Sequence, residues 1–174
     1  KQVQPGVVNI RTVKTTKEGG PVFRHFFGNP FGNRDPFGEG GPGREFKQRS
    51  LGSGFIIDRE GFIATNNHVV ENADQIKVRL ADEREFDAKV IGRDPKTDLA
   101  VLKVDLADLP FATLGNSDSV MPGRLVLAFG SPLGLTSSVT MGVVSAVGRQ
   151  LNDEDRMLYI QTDTPINPGN SCGP

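Results

Sequence analysis

Short runs that alternate between hydrophobic and polar residues dominate the chain from position 51 onward. The run QIKVRL places Ile76, Val78 and Leu80 on one face and charged side chains on the other, a spacing typical of a half-buried strand. The run EFDAKVI at 85–91 repeats the pattern, with Phe86, Ala88 and Val90 on one face. No helical periodicity is sustained anywhere, so the pattern predicts an all-β protein.

Further strands complete two groups. The first group adds residues 7–13, a hairpin around the turn at 58–61, and the run LAVLKV at 99–104, which is nearly all apolar and predicts a buried strand. It contains about six strands, enough to close a small barrel. The second group contains only RLVLAFG, SSVTMGVVSAVG and LYIQTD. We therefore predict a first β-barrel in residues 1–110, then a linker and a partial second β-barrel in residues 111–174.

Residues 19–47 interrupt the first group with a long stretch rich in glycine and proline, which excludes a regular element there. This stretch nevertheless holds six of the eleven phenylalanines. So much aromatic surface favours a docking function. The alternative is a loop without fixed structure.

Composition excludes several classes of function. The net charge is -1, from 20 basic and 21 acidic residues, which gives no reason to expect nucleic acid or an anionic membrane as partner. No run approaches the ~18 apolar residues of a membrane-spanning helix. No signal peptide begins at Lys1, but a mature secreted protein lacks one too, so its absence does not decide the location. A single cysteine cannot form an intrachain disulfide.

Three separated polar residues could together form a nucleophilic site. Ser171 lies in a Gly-x-Ser turn within INPGNSCGP, the last nine residues of the sequence. His68 follows a predicted strand in ATNNHVV, where Asn66 and Asn67 are good N-cap residues and favour a short helical turn. Asp98 directly precedes a predicted strand in PKTDLAVL. A serine that attacks a carbonyl group needs such a base, an acid that orients the base, and backbone N–H donors for the oxyanion.

Each of these residues also has an interpretation without catalysis. A Gly-x-Ser turn alone is a weak signal, an isolated histidine is more often structural, and Asp98 could simply begin a strand. His25 is interpreted as a solvated loop residue, and Asp163 as a structural residue buried by a hydrogen-bonded turn. Cys172 is most often a small, semi-buried residue. Its thiolate could act as a nucleophile, but Cys172 is the weaker candidate beside Ser171.

Several motifs, in the same order and spacing, resemble the protease domain of the HtrA (DegP/DegS-type) serine proteases. They are TNNHVV, DLAVLKV, FGSPLGL, VTMGVVSAVGR and IQTDTPINPGNSCGP, and the match runs from about residue 7 to the end. The resemblance implies a chymotrypsin/trypsin-like double β-barrel and a catalytic triad of His68, Asp98 and Ser171. It also implies an oxyanion hole from the backbone N–H groups of Gly169 and Ser171, and no metal or cofactor.

The resemblance further implies a serine endopeptidase that cleaves unfolded or misfolded polypeptides in protein quality control, in the periplasm or cell envelope. It implies a trimer-based homo-oligomer in which loop 19–47 contacts other subunits. Two departures are visible: Cys172 replaces the family's glycine, and the family domain continues beyond this motif, usually into a PDZ domain that this chain lacks. We therefore expect an incomplete second barrel and an inactive chain as given. The alternative is a catalytically impaired, chaperone-like binder of unfolded polypeptide.

Overall fold

The described part of the computed structural model comprises residues 4–16, 46–130, 138–151 and 157–166. Its regular elements are nine strands, one turn of α-helix and two 3-10 turns. The strands are β1 (Val7–Thr16), β2 (Phe46–Ile56), β3 (Phe62–Asn66), β4 (Gln75–Arg79), β5 (Glu85–Asp94), β6 (Leu99–Val104), β7 (Leu125–Gly130), β8 (Ser138–Arg149) and β9 (Tyr159–Thr162). The helix α1 spans Asn67–Val70, and the 3-10 turns span Gln4–Gly6 and Ser117–Ser119. None of the helices in these ranges is long and apolar enough to cross a membrane.

Strands β1 to β6 close into an antiparallel barrel in the order β1-β2-β3-β6-β5-β4. Closure depends on β1, which pairs with β2 along its whole length and with β4 on its other edge. The predicted hairpin is confirmed, since β2 and β3 pair around the turn at 58–61. The prediction of about six strands in a small first barrel is therefore confirmed.

The barrel core consists of the inward-facing aliphatic residues of these strands. Ile10, Ile56, Ile63, Val78 and Leu102 are fully buried. Each such side chain contributes about 1.5–3 kcal/mol relative to leaving it in water. The inward face predicted for β4 is confirmed in this core, because its alternating aliphatic residues are buried.

Two strands differ from the sequence expectation. In β6 burial alternates instead of running throughout, and Leu99 is 50% exposed because only one face of the strand lines the barrel. In β5, Val90 is 41% exposed because a bulge shifts the register between Val90 and Gly92. The bulge adds one residue to β5, and beyond it the strand no longer presents a regular inward face.

The segment that follows β6 packs partly onto the first barrel. Leu109 and Ala112 are buried, and the Ala112 N–H donates a hydrogen bond of 2.8 Å to the carbonyl oxygen of Ile56. The predicted loop also ends earlier than expected, because residues 46 and 47 already belong to β2. Residues 19–45 lie outside the described part of the chain.

Strands β7, β8 and β9 form an open three-stranded sheet in that order. Many of its large apolar side chains are exposed, among them Leu125, Met141 and Ile160. Within the described residues the sheet does not close on itself. The fold is thus a mostly β structure with one closed barrel and an incomplete second one, as predicted.

Candidate active site

His68 is held on α1, a single helical turn that follows β3 directly. The predicted helical turn at a strand end is therefore confirmed. Asn66 stands at the N-cap in an extended conformation, but its side chain makes no capping hydrogen bond. Instead its Nδ2 donates to the carbonyl oxygen of Asp98 at 2.9 Å. The expectation that an asparagine side chain caps this helix is wrong, because the Asn66 side chain is bonded to Asp98, directly before β6, instead.

Asp98 supplies the missing cap from the start of β6. Its Oδ1 accepts the backbone N–H of His68 at 2.9 Å, and its carbonyl oxygen accepts the backbone N–H of Asn67 at 3.0 Å. Asp98 adopts a left-handed backbone conformation with φ 54°, which aspartate tolerates better than most residues. This conformation directs both its carbonyl and its carboxylate toward the helix N-terminus.

The second carboxylate oxygen of Asp98 contacts the histidine ring. Nδ1 of His68 lies 2.6 Å from Oδ2 of Asp98. A carboxylate can only accept, so the ring nitrogen Nδ1 carries a proton, and in the neutral imidazole Nε2 keeps its lone pair. The two side chains are 54% and 43% exposed. This is the arrangement of a general base whose tautomer and orientation are fixed by an acid.

The helix is also fixed from below by the barrel. Val69 is buried against β2, where a Cβ on Gly52 would lie 2.7 Å from both Val69 methyl groups. Beneath it the buried Thr65 Oγ1 donates to the carbonyl oxygen of Ser53 at 2.8 Å. The close packing of α1 against β2 therefore requires glycine at position 52. This packing also fixes the position of His68, the neighbour of Val69, relative to the barrel.

The turn that leads into Asp98 is organised by Asp94. The nearby Thr97 hydroxyl, and then the backbone N–H of Lys96, hold the pKa of the Asp94 carboxyl below its ordinary value. The Lys96 N–H lies 3.0 Å from Asp94 Oδ1. Because this pKa is lower in the folded state than in the unfolded chain, the ionised Asp94 carboxyl stabilises the fold above pH ~4. This stabilisation is lost as the pH falls further.

The structure thus brings together His68 and Asp98, two of the three predicted triad residues. Ser171, Gly169 and Cys172 lie outside the described residues, and so does His25. Across the ranges that are described, no group of three or more His, Cys, Asp and Glu side chains could hold a metal ion.

Two features of the site were missed at the level of sequence. The first is the capping role of Asp98, for which the only signal was an aspartate directly before a strand. The second concerns Asp163, which was expected to be buried. It is exposed, although its Oδ1 does accept a hydrogen bond, from the Val143 N–H at 2.7 Å.

Comparison with known proteins gives relatives along the whole chain. A probable periplasmic serine endoprotease DegP-like from Marinomonas sp. (strain MWYL1) is 47% identical over 190 residues, covering 100% of this chain and 39% of the relative. A protein of the same description from Pseudomonas fulva (strain 12-X) is 50% identical over 185 residues, covering 98% and 38%. The chain therefore spans about two fifths of the length of these curated relatives.

Solved structures agree with these relatives. The HtrA-type protease AlgW with decapeptide superposes with a TM-score of 0.75 at 45% identity, covering 99% of this chain and 52% of that one. The same protease with tripeptide gives 0.76 at 42% identity, covering 99% and 47%. A family model described as trypsin-like peptidase domain matches residues 52–174. The chain thus belongs to the trypsin-like peptidase domain family, and its resemblance to the HtrA-type proteases is confirmed.

Proposed function

We propose that this protein is a serine endopeptidase in which Ser171 is the nucleophile, His68 the general base and Asp98 the acid that orients the base. One observation carries the proposal: the Asp98 carboxylate binds Nδ1 of His68 at 2.6 Å while its other oxygen accepts the His68 amide. The ring and the backbone of the base are therefore fixed by one side chain. Nε2 faces away from this bond and is available for the serine proton.

The chemistry follows from this geometry. Ser171 Oγ attacks the carbonyl carbon of the scissile peptide and passes its proton to Nε2 of His68. Asp98 stabilises the resulting imidazolium, and the N–H groups of Gly169 and Ser171 hold the oxyanion of the tetrahedral intermediate. The imidazolium then protonates the leaving amine, which yields an acyl-enzyme. Water, deprotonated by His68, hydrolyses this ester and regenerates the serine.

The proposed setting is the periplasm, and the proposed substrates are unfolded or misfolded polypeptides. The location is supported by relatives that are named periplasmic serine endoproteases. The substrate class is proposed from the resemblance of the chain to the HtrA-type proteases. Assembly into a trimer-based oligomer, with loop 19–47 between subunits, is part of the same proposal and is supported by the phenylalanines of that loop.

A fluorophosphonate probe, which labels activated serines, tests the assignment on the full-length protein that contains this sequence. We expect labelling and casein cleavage by the wild type. The Ser171→Ala variant should lose labelling and about 10⁶-fold in kcat, while it still binds unfolded casein. Labelling that persists in Ser171→Ala would refute the nucleophile. Casein binding without labelling of the wild type would instead indicate the chaperone-like alternative.

A further inference from the structure

The segment that follows β9 is tied to β8 by one long backbone hydrogen bond, from the Asp163 N–H to the Val143 carbonyl oxygen at 3.4 Å, and otherwise by side chains. The ladder between β8 and β9 ends at the pair Val144 and Thr162. Beyond it, Thr162 Oγ1 donates to the Val143 carbonyl at 2.8 Å, and the Val143 N–H donates to Asp163 Oδ1 at 2.7 Å. Thr140 Oγ1 then donates to the carbonyl oxygen of Pro165 at 2.7 Å. Side-chain hydrogen bonds thus extend the connection to β8 by three residues.

These contacts need a glycine in β8. A Cβ placed on Gly142 would lie 2.5 Å from Asp163 Oδ1, from Thr164 N and from Thr164 Oγ1. Cβ atoms essentially never approach other heavy atoms so closely, and two of these three neighbours cannot rotate away freely, because Thr164 N is backbone and Thr164 is only 6% exposed. Any side chain at position 142 would therefore push the segment off β8.

The segment leads directly into the proposed nucleophile turn. Ser171 stands six residues after Pro165 in the sequence. Because consecutive Cα atoms are held about 3.8 Å apart, a shift of the anchor changes the path available to the residues after it. A shift near 1 Å in a reacting group is enough to cost about 10²-fold in rate.

We propose that Asp163 is a positioning residue, which acts with Gly142 to fix the path of residues 163–165 into the nucleophile turn. The inference rests on the proposed function of Ser171. Asp163 does not touch substrate in this account. Its carboxylate accepts the Val143 N–H and so sets where the turn begins.

Asparagine and alanine at position 163 separate this role from a merely structural one. Asparagine keeps an oxygen that can accept the Val143 N–H, and alanine does not. In the full-length protein, Asp163→Ala should lower kcat about 10- to 100-fold with KM changed less than about 3-fold. Asp163→Asn should keep kcat within about 3-fold of the wild type. The rate of fluorophosphonate labelling should follow kcat in both variants.

The opposite side of the contact provides an independent variant with a matched control. Gly142→Ala should lower kcat as Asp163→Ala does, because it displaces the same residues. Gly92→Ala is the control, because a Cβ there meets nothing within 4 Å, and its kcat should be unchanged.

If Asp163→Ala loses its near-UV circular dichroism, Thr140→Val tests the anchor instead. It removes the hydrogen bond to Pro165 but keeps the branched shape, and a several-fold lower kcat is expected.

The outcomes distinguish this inference from the proposed function. If Ser171 of the wild type is not labelled, the proposed function itself fails. If the wild type is labelled but folded Asp163→Ala has wild-type kcat, only the positioning role is overturned. The same holds for folded Thr140→Val if that variant has to replace it. Equal losses in Asp163→Asn and Asp163→Ala would also overturn it, because the acceptor oxygen would then be irrelevant.

Discussion

Asp98 makes two separate contributions through two oxygens of one side chain. Oδ2 holds the ring of His68, and Oδ1 satisfies a backbone N–H at the start of α1 that has no partner inside the helix. The first contribution belongs to the chemistry and the second to the fold. Two substitutions can separate them.

Asp98→Asn should abolish most activity while the fold is kept. Its amide oxygen can still accept the His68 N–H, but an NH₂ group in place of Oδ2 would face Nδ1 and favour the wrong tautomer. We expect kcat to fall roughly 10⁴-fold, with stability nearly unchanged. Asp98→Ala should lose similar activity and, in addition, about 0.5–2 kcal/mol of the free energy of unfolding through the lost cap. Urea unfolding and kcat on one peptide measure both. Equal stability of the two variants would refute the cap.

Cys172→Gly should raise activity. The residue after the nucleophile helps to set the turn that aims the proposed oxyanion donors, and glycine adopts backbone angles that are costly for a residue with a Cβ. Loss of one oxyanion donor costs ~2.7–4 kcal/mol in the transition state, so the gain should appear in kcat. Measurement of kcat/KM for both proteins on one peptide is decisive. A change below about 3-fold would mean that the turn tolerates cysteine.

At the scale of elements, α1 is positioned by its contact with β2. Gly52→Ala would place a methyl group 2.7 Å from the Val69 methyl groups, and Val69 is the neighbour of His68. Overpacking of this kind costs about 1–3 kcal/mol of the free energy of unfolding. The displaced helix should also lower kcat, since the base moves with it.

The control is again a strand glycine with open space, Gly92→Ala, whose stability should change by no more than about 1 kcal/mol. Urea unfolding followed by circular dichroism gives the stability of each variant, and peptide hydrolysis gives kcat. If Gly52→Ala behaves like Gly92→Ala in both measurements, α1 does not depend on close packing against β2.

Which elements the sequence could predict depends on how local their causes are. The two faces of β4 follow from alternation alone, and the prediction was correct. The exposure of Val90 depends on a bulge. A bulge arises from the pairing of two strands, so the sequence of one strand does not reveal it. The exposure of Leu99 was missed because a continuous apolar run indicates a strand that is buried on both faces. A strand in a barrel wall is buried only on the face that points into the barrel. The prediction of an asparagine cap was wrong because Asp98, 32 residues from Asn66, supplies the acceptor instead.

At the scale of the whole molecule, strand count predicted a closed barrel but not its neighbour order. The order β1-β2-β3-β6-β5-β4 pairs β1 with β4 and β3 with β6, and such pairings depend on the packing of all six strands together. For the same reason the sequence could nominate His68 and Asp98, while their contact follows from the β3–β6 pairing that aligns Asn66 with Leu99.

Loop 19–47 should act between molecules, and its deletion can now be designed from the barrel. Thr16 and Phe46 are paired across β1 and β2, so a short turn can replace the residues between them without opening the barrel. Docking a phenylalanine contributes ~1.5–3 kcal/mol, so several would offset the loss of loop entropy. The deletion should remove the largest oligomer and leave the basal assembly intact. An unchanged mass distribution by light scattering would contradict this.

The left-handed conformation of Asp98 has a consequence for how pseudoenzymes of this family would be recognised. When catalysis is lost, selection on a base and a nucleophile is relaxed, yet α1 still needs a side-chain acceptor for the amide of residue 68, and position 98 still needs a residue that tolerates positive φ. Aspartate or asparagine should therefore persist at position 98 after His68 and Ser171 have drifted. In a survey of genomes, aspartate or asparagine at position 98 would therefore indicate the fold but not the activity. Only histidine at position 68 and serine at position 171 would distinguish active proteases from inactive members of the family.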